Sequence, residues 1–306
     1  MSIYFYLVLL LIISLVLISI IILLKLKKLT SDKKIYLTHK DTIPDFVINN
    51  RKKLTSNKTI YLTHKDNIPD FVINNWKKLN PDYNIKYYND NDCKEFIKNN
   101  YPKSYLDYFN RLCLYANAGP IKSDFWRCLI LYKYGGIYAD CDIEPIVPID
   151  DFLEKDVNFL TCLAGYTKPG KTQLNPHFIY VANEKDKILE LCIECYKDYL
   201  FNADYEYWKH SICYVMLYIF NLYQIYYKEN QIIYNTNLIP NNIYKIQLIQ
   251  EVFPDIRRSL GPDVYCTYKN KKILYNRHPE YDRRSHKYKS NISKYRGSYP
   301  DSNSPF

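Results

Sequence analysis

Residues Tyr134 to Glu144 read Y-G-G-I-Y-A-D-C-D-I-E. Asp140 and Asp142 stand two apart at the end of a predicted strand, just after a Gly-Gly turn. The side-chain period of an extended chain is two, so this reading puts Tyr138, Asp140 and Asp142 on one face. Ile137, Ala139, Cys141 and Ile143, all apolar or small, fall on the other. One face packs while the other gathers two negative charges. Such charges repel unless a proton or a cation sits between them. A divalent metal carrying a phosphate ester suits the pair, because hard cations take carboxylate oxygens and bridge to phosphates. The spacing alone is weak, since two solvated strand-end carboxylates read the same way.

The preceding residues add context. Ile121 to Leu131 reads I-K-S-D-F-W-R-C-L-I-L. Apolar side chains at 125, 128, 129 and 131 predict a helix, with Ser123 or Asp124 as its cap. Gly135 and Gly136 supply the left-handed residues that end helices. Asp124 and Arg127 are i, i+3 neighbours on that helix. They read either as a surface ion pair of little energetic value or as a hydroxyl-binding pair beside the carboxylate strand, Asp accepting and Arg donating.

With these residues in view, S-D-F-W-R-x(7)-G-G-I-Y-A-D-C-D resembles the D-x-D region of sugar-nucleotide glycosyltransferases, specifically glycosyltransferase family 32. That group holds fungal initiating mannosyltransferases and capsular polysaccharide transferases. The segment from Ile60 to Tyr83, I-Y-L-T-H-K-D-N-I-P-D-F-V-I-N-N-W-K-K-L-N-P-D-Y, is similar to the family's opening strand, loop and helix. Asn175-Pro176-His177-Phe178 and Gly261-Pro262 are weaker landmarks, so the resemblance runs from about Ile60 to Gly261. It implies a GT-A fold, an α/β nucleotide-sugar-binding sandwich with a mixed sheet flanked by helices. It implies Mn²⁺ or Mg²⁺, with Asp142 as direct ligand and Asp140 reaching the ribose or sugar and the metal's water shell. Asp124 and Arg127 would hold donor hydroxyls, and Tyr138 would lie near the nucleotide. Thr63, His64 and Gly136 join Tyr138 as candidate nucleotide- or sugar-binding residues. His177 and the late histidines His278 and His286 are further candidates for the metal or phosphate site. The family's closing Ser-Trp pair is absent, as no Trp follows Trp208. Retention of anomeric configuration is an implication of the resemblance alone.

The 306 residues suffice for one large domain or two small ones. Tyr reaches 34 residues, and Ile, Lys and Asn are also heavy. All four fit A/T-rich codons, which discounts arguments from Tyr or Lys abundance. Met1 to Leu24 carries no charged side chain and matches the ~20 apolar residues of a membrane span. Without a basic leader or small-residue cleavage site it reads as an uncleaved anchor. Lys25, Lys27 and Lys28 follow it, placing the remainder in the cytosol by the positive-inside rule, whereas the resemblance points to a lumen. The formal charge of +10 is dispersed, with no aromatic-basic nucleic-acid module; near an anchor the membrane is the simpler partner. Nine scattered cysteines show no zinc spacing and favour a reducing compartment. Asn57 and Asn291 head glycosylation sequons, which matter only in a lumen.

Ile35–Leu54 and Ile60–Leu79 are near copies, differing at Thr42/Asn67 and Arg51/Trp76. The second runs on into Asn80-Pro81-Asp82-Tyr83 and is the copy expected in the sheet. Ile60–Leu62, Ile85–Tyr88 and Phe159–Leu163 read as strands, Asp90–Asn99, Ile188–Tyr199 and Ser211–Tyr227 as helices, and Gly165–Gln173 as a loop. Cys192 and Cys195 read as packing on their helix. The resulting organisation is an anchor over 1–27, a stalk over 28–58 holding the first copy, a GT-A domain over 59–282 and a basic polar tail over 283–306. The functional expectation is a single-pass, metal-dependent transferase. It would move a hexose from a UDP- or GDP-sugar to a glycan, protein or lipid acceptor. A catalytically silent nucleotide-sugar-binding or structural module and a sugar-nucleotide hydrolase are the alternatives.

Overall fold

The computed structural model describes residues 57–65, 67–114, 119–165, 173–201, 211–226, 232–252 and 264–276. The chain divides into two units, Met1–Lys53 and Leu54–Phe306, and the description concerns the second. The expected anchor, the first repeat copy, the Lys168–Lys171 loop, Gly261-Pro262, His278, His286 and the basic tail lie outside the described residues. Among the described residues no helix is long and apolar enough to cross a membrane.

The second repeat copy builds the start of a mixed sheet. It forms β1 (Thr59–Thr63) and α1 (Asp70–Leu79), followed by β2 (Asn84–Tyr88). Three helices come next: α2 (Asp90–Asn100), α3 (Lys103–Cys113) and α4 (Gly119–Tyr134). Then come β3 (Gly136–Ala139), β4 (Glu144–Pro145), β5 (Phe159–Leu163), β6 (Phe178–Val181), α5 (Lys187–Phe201) and α6 (Ile212–Leu222). The remaining strands are β7 (Ile232–Asn235), β8 (Tyr244–Val252), β9 (Tyr265–Tyr268) and β10 (Lys271–Tyr275).

These strands form one sheet in the order β2-β1-β3-β6-β5-β8-β9-β10-β4, with β7 paired to β8. β1 lies parallel to both β2 and β3. The chain passes from β1 to β2 on one side, then returns to β3 on the other. The carboxyl ends of β1 and β3 therefore flank a point where the winding reverses, which is where open α/β sheets bind ligands. β6 runs antiparallel to both of its neighbours, β3 and β5.

Strand alternation sorts side chains into two cores. Tyr61, Tyr138, Phe159, Ile179 and Val181 pack with α2 to α6. Ile60, Leu62, Ile137, Ala139, Phe178 and Tyr180 pack with Val72 and Trp76 of α1. Both faces of β3 are buried, so it is not the half-solvated strand expected from its alternation. α4 begins at Gly119, leaving Ser123 and Asp124 inside the helix rather than at its cap. It stops at Gly135 (φ +63), whose N–H donates to Leu131 O at 2.7 Å. Gly136 (φ +94) has no room for a side chain, because a Cβ would lie 2.8 Å from Thr59 O. The sequon residue Asn57 already donates its amide to Tyr61 Oη (3.1 Å) and Tyr134 O (3.0 Å).

Candidate active site

β3 ends at Ala139, and the chain turns at once: Ile143 N donates to Asp140 O at 3.0 Å. Asp140 and Asp142 thus lie on a tight turn just past the strand. The period-two alternation nevertheless carries on: Ile137, Ala139, Cys141 and Ile143 share one core, and Tyr138 and Asp140 meet on the other face. Tyr138 is the buried member of that face. Its ring is fully buried, and its hydroxyl donates to Asp140 Oδ1 at 2.8 Å. Burial pushes the phenol far above its ordinary pKa, so it stays a donor. Buried in this way, Tyr138 supports Asp140 and presents no ring to a nucleotide.

Arg127 organises the site. Its Nη2 lies 2.8 Å from Asp124 Oδ1 and 3.2 Å from Asp140 Oδ1. Nη1 donates to Pro176 O at 2.6 Å, and Nε donates to Ser123 O at 3.3 Å. The guanidinium stands 4.3 Å from the Tyr138 ring centre. Burial alone would lower the Arg127 pKa, but Asp140, Tyr138 and Asp124 outweigh it and keep the cation charged. Asp124 Oδ2 accepts from Ile212 N at 3.1 Å, capping α6 from another helix. Burial raises the Asp124 carboxyl to about 6 against the opposing pull of Arg127 and the Ile212 N–H. The side chains of Asp124 and Arg127 are only 8% and 5% exposed, whereas that of Asp140 is 33% exposed. The surface ion-pair reading is therefore wrong. Nε and Nη1 donate to backbone carbonyls and Nη2 faces both carboxylates, so each guanidinium nitrogen has a partner within the protein.

Two carboxylates share one buried guanidinium, leaving net negative charge at the solvent side where Asp142 follows. The arrangement fits a hard divalent ion completed by phosphate oxygens and water. Among the described residues no third His, Cys, Asp or Glu joins Asp140 and Asp142 at ligand range.

The other expected site residues divide. The fold brings Thr63 beside the turn, with Cys141 Sγ donating to Thr63 O at 3.2 Å. Thr63 Oγ1 donates to Tyr88 O at 2.9 Å, so its hydroxyl ties β1 to β2. His64 follows at the carboxyl end of β1, half-buried. Gly136 starts β3, at the end away from Asp140, and packs against Thr59. It serves the strand crossing and not the site. His177 contributes its backbone, since Asp140 N donates to His177 O at 2.9 Å. Its imidazole points elsewhere, to Asn175 O, Asn276 and Cys266. The carbonyl of Pro176 and the N–H of Ile212 carry no side-chain signal, and only the fold reveals them.

Residues 69–158 match the family model for the glycosyltransferase sugar-binding region containing a DXD motif. That span includes α1, the Arg127 helix and the carboxylate turn, and is shorter than the stretch from Ile60 to Gly261. Among solved structures, the PaToxG glycosyltransferase is similar at 16% identity over 55% of this chain and 68% of that chain, with a TM-score of 0.42. A glycosyltransferase involved in the glycosylation of the major capsid of PBCV-1 is similar at 13% identity over 62% of this chain and 80% of that one, with a TM-score of 0.30. No curated protein matches the chain.

Proposed function

We propose that this chain is a membrane-anchored, metal-dependent glycosyltransferase of GT-A type and of family 32. It transfers a hexose from a UDP- or GDP-sugar to a glycan, protein or lipid acceptor, with retention. The observation that carries the reading is the shared guanidinium of Arg127, which aims Asp140 out of a buried network at the winding reversal between β1 and β3. The DXD-type match over the same residues supports it.

In this reading Asp142 and the partly exposed Asp140 carboxylate would hold Mn²⁺ or Mg²⁺. When bound, such an ion stabilises the charge that builds on a departing diphosphate. Tyr138 and Arg127 fix Asp140 by binding its Oδ1, leaving its other oxygen for the ion. Asp124 holds Arg127 from behind, and donor hydroxyls are met at the edge of that pair. His64, at the end of β1, faces the nucleotide side.

The test is nucleoside diphosphate release from a panel of UDP- and GDP-sugars, with Mn²⁺ or with EDTA, beside an Asp140→Asn/Asp142→Asn variant. Metal-dependent release from one donor, absent in the variant, supports the assignment and names the sugar. The anomeric configuration of the product then tests retention. Donor binding without release points to a silent module, and release that persists without any acceptor points to a hydrolase. A folded protein showing neither binding nor release would remove the assignment.

A further inference from the structure

A second cluster of ligand-type side chains lies in the other core and has no part in the proposed transfer. Cys162 on β5, Cys266 on β9 and His177 just before β6 are all buried. Their ligand atoms lie within 4.8 Å of one another. Cys162 Sγ stands 3.6 Å from Cys266 Sγ, and Cys266 Sγ stands 3.3 Å from His177 Nε2. A tetrahedral zinc with ordinary bond lengths has S···S edges of about 3.8 Å and S···N edges of about 3.6 Å. The cluster is thus already close to the dimensions of half a tetrahedral shell.

Three further observations separate it from ordinary packing. His177 Nδ1 lies 2.6 Å from Asn175 O, which can only accept. Nδ1 therefore carries a proton, and Nε2 is the ring nitrogen turned toward Cys266 and Asn276, the one left to meet a metal in the arrangement that metal-binding histidines use. Asn276 Oδ1 completes the group of donor atoms, 3.0 Å from His177 Nε2 and accepting from Cys266 Sγ at 2.9 Å. The Asn276 amide is held in that orientation because its Nδ2 donates to Glu251. Glu251 is buried too and also accepts from Asn175 Nδ2 (3.1 Å) and Gly165 N (3.1 Å). A disulfide does not suit the pair. β8 lies between β5 and β9, so their backbones are two strand spacings apart, ~9–10 Å. That exceeds the roughly 7 Å a disulfide spans.

We propose that Cys162, His177 and Cys266 bind one soft divalent ion of the zinc type, with the Asn276 amide oxygen as fourth ligand. Both thiols lose their protons to solvent on binding, and two thiolates with a neutral imidazole cancel the charge of the ion. A neutral assembly is what a fully buried site can hold at low desolvation cost. The ion ties β5, the entry to β6 and the β9–β10 hairpin together. It also fixes residues 175–177, whose carbonyls hold Arg127 and Asp140. His177 is thereby a positioning residue for the carboxylate turn.

The experiment uses the full chain, purified under reducing conditions. Its bound metal is quantified by elemental analysis, and the stripped protein is titrated with Co²⁺. The expected result is one zinc per chain, and a Co²⁺ spectrum with thiolate charge-transfer and tetrahedral bands saturating at one equivalent. Asp140→Asn/Asp142→Asn should keep that spectrum, and Cys162→Ser/Cys266→Ser should lose it. Should the cysteine variant not fold, the unsubstituted chain still decides, because thiolate charge transfer reports the ligands directly. Absence of that band, a spectrum abolished by the Asp140/Asp142 variant, or a Cys162–Cys266 disulfide in the purified protein would each overturn the proposal.

Discussion

The carboxylate turn and the cysteine–histidine cluster are joined by three residues, Asn175 to His177, yet they are built on opposite principles. The turn offers hard oxygens, keeps Asp140 one-third exposed, and neutralises part of its charge with a buried Arg127. The cluster offers sulfur and nitrogen and is sealed from solvent. An open site that keeps residual charge suits a ligand that enters and leaves. A closed site whose charge cancels on loading suits an ion that stays.

The largest expected effect is at the open site. Asp142→Asn should lower donor turnover by about 10³-fold, the equivalent of several kcal/mol of lost charge stabilisation. Thermal stability and any cobalt spectrum should be unchanged. Substantial Mn²⁺-dependent turnover in that variant would sink the metal-ligand role. Next, Arg127→Ala strands Asp124 in a buried pocket without its cation, which should cost about 3–5 kcal/mol. Urea denaturation reads this directly; a change under 1 kcal/mol would mean the Asp124–Arg127 pair is not the buried support described above.

A pH profile gives an intermediate effect. The Asp124 carboxyl is raised to about 6, above the roughly 4 of an unfolded chain. Its protonated form therefore favours the fold at low pH, and that contribution is lost as pH rises through about 6. Turnover runs the other way, because orienting Arg127 needs the ionised form. The rate should fall about tenfold per pH unit below 6, and Asp124→Asn should abolish that limb along with most activity. A wild-type profile flat down to pH 5 would exclude Asp124 as a titrating support. The smallest effect is expected from Tyr138→Phe, which removes one hydrogen bond to a partly exposed carboxylate. A loss of ~1 kcal/mol, roughly fivefold in turnover, is expected, with no change in the cysteine cluster.

Local periodicity carried much of the first half of the fold. Phe159–Leu163 is readable to the residue, and β1, β2, α2 and α5 fall within two residues of their observed bounds, while α6 ends at Leu222, five residues before the expected Tyr227. α3 went unread although its buried face, Tyr105, Tyr108, Phe109 and Leu112, has i, i+3, i+4, i+7 spacing. Discounting tyrosine as coding bias hid a helix whose packing depends on it. β6 pairs with β3 and β8 with β5 across long stretches of chain, so no local pattern orders them, whereas the β9–β10 hairpin is a local pairing that went unread.

At the site, sequence alone determined the chemistry available: two carboxylates two residues apart, an Asp–Arg pair on one helix face, and a Gly-Gly turn that must separate helix from strand. Those are properties of neighbours, and spacing encodes them. Only the tertiary structure decided what each group does. It buried Asp124 and Arg127, set Tyr138 beneath Asp140, moved Gly136 to the far end of β3, and brought Cys162, His177 and Cys266 together across the sheet. The physical reason is that burial, and with it the strength of every charge and hydrogen bond, depends on contacts between distant strands. Backbone groups such as Pro176 O and Ile212 N complete the network, and a backbone carbonyl or N–H leaves no mark in the side-chain sequence.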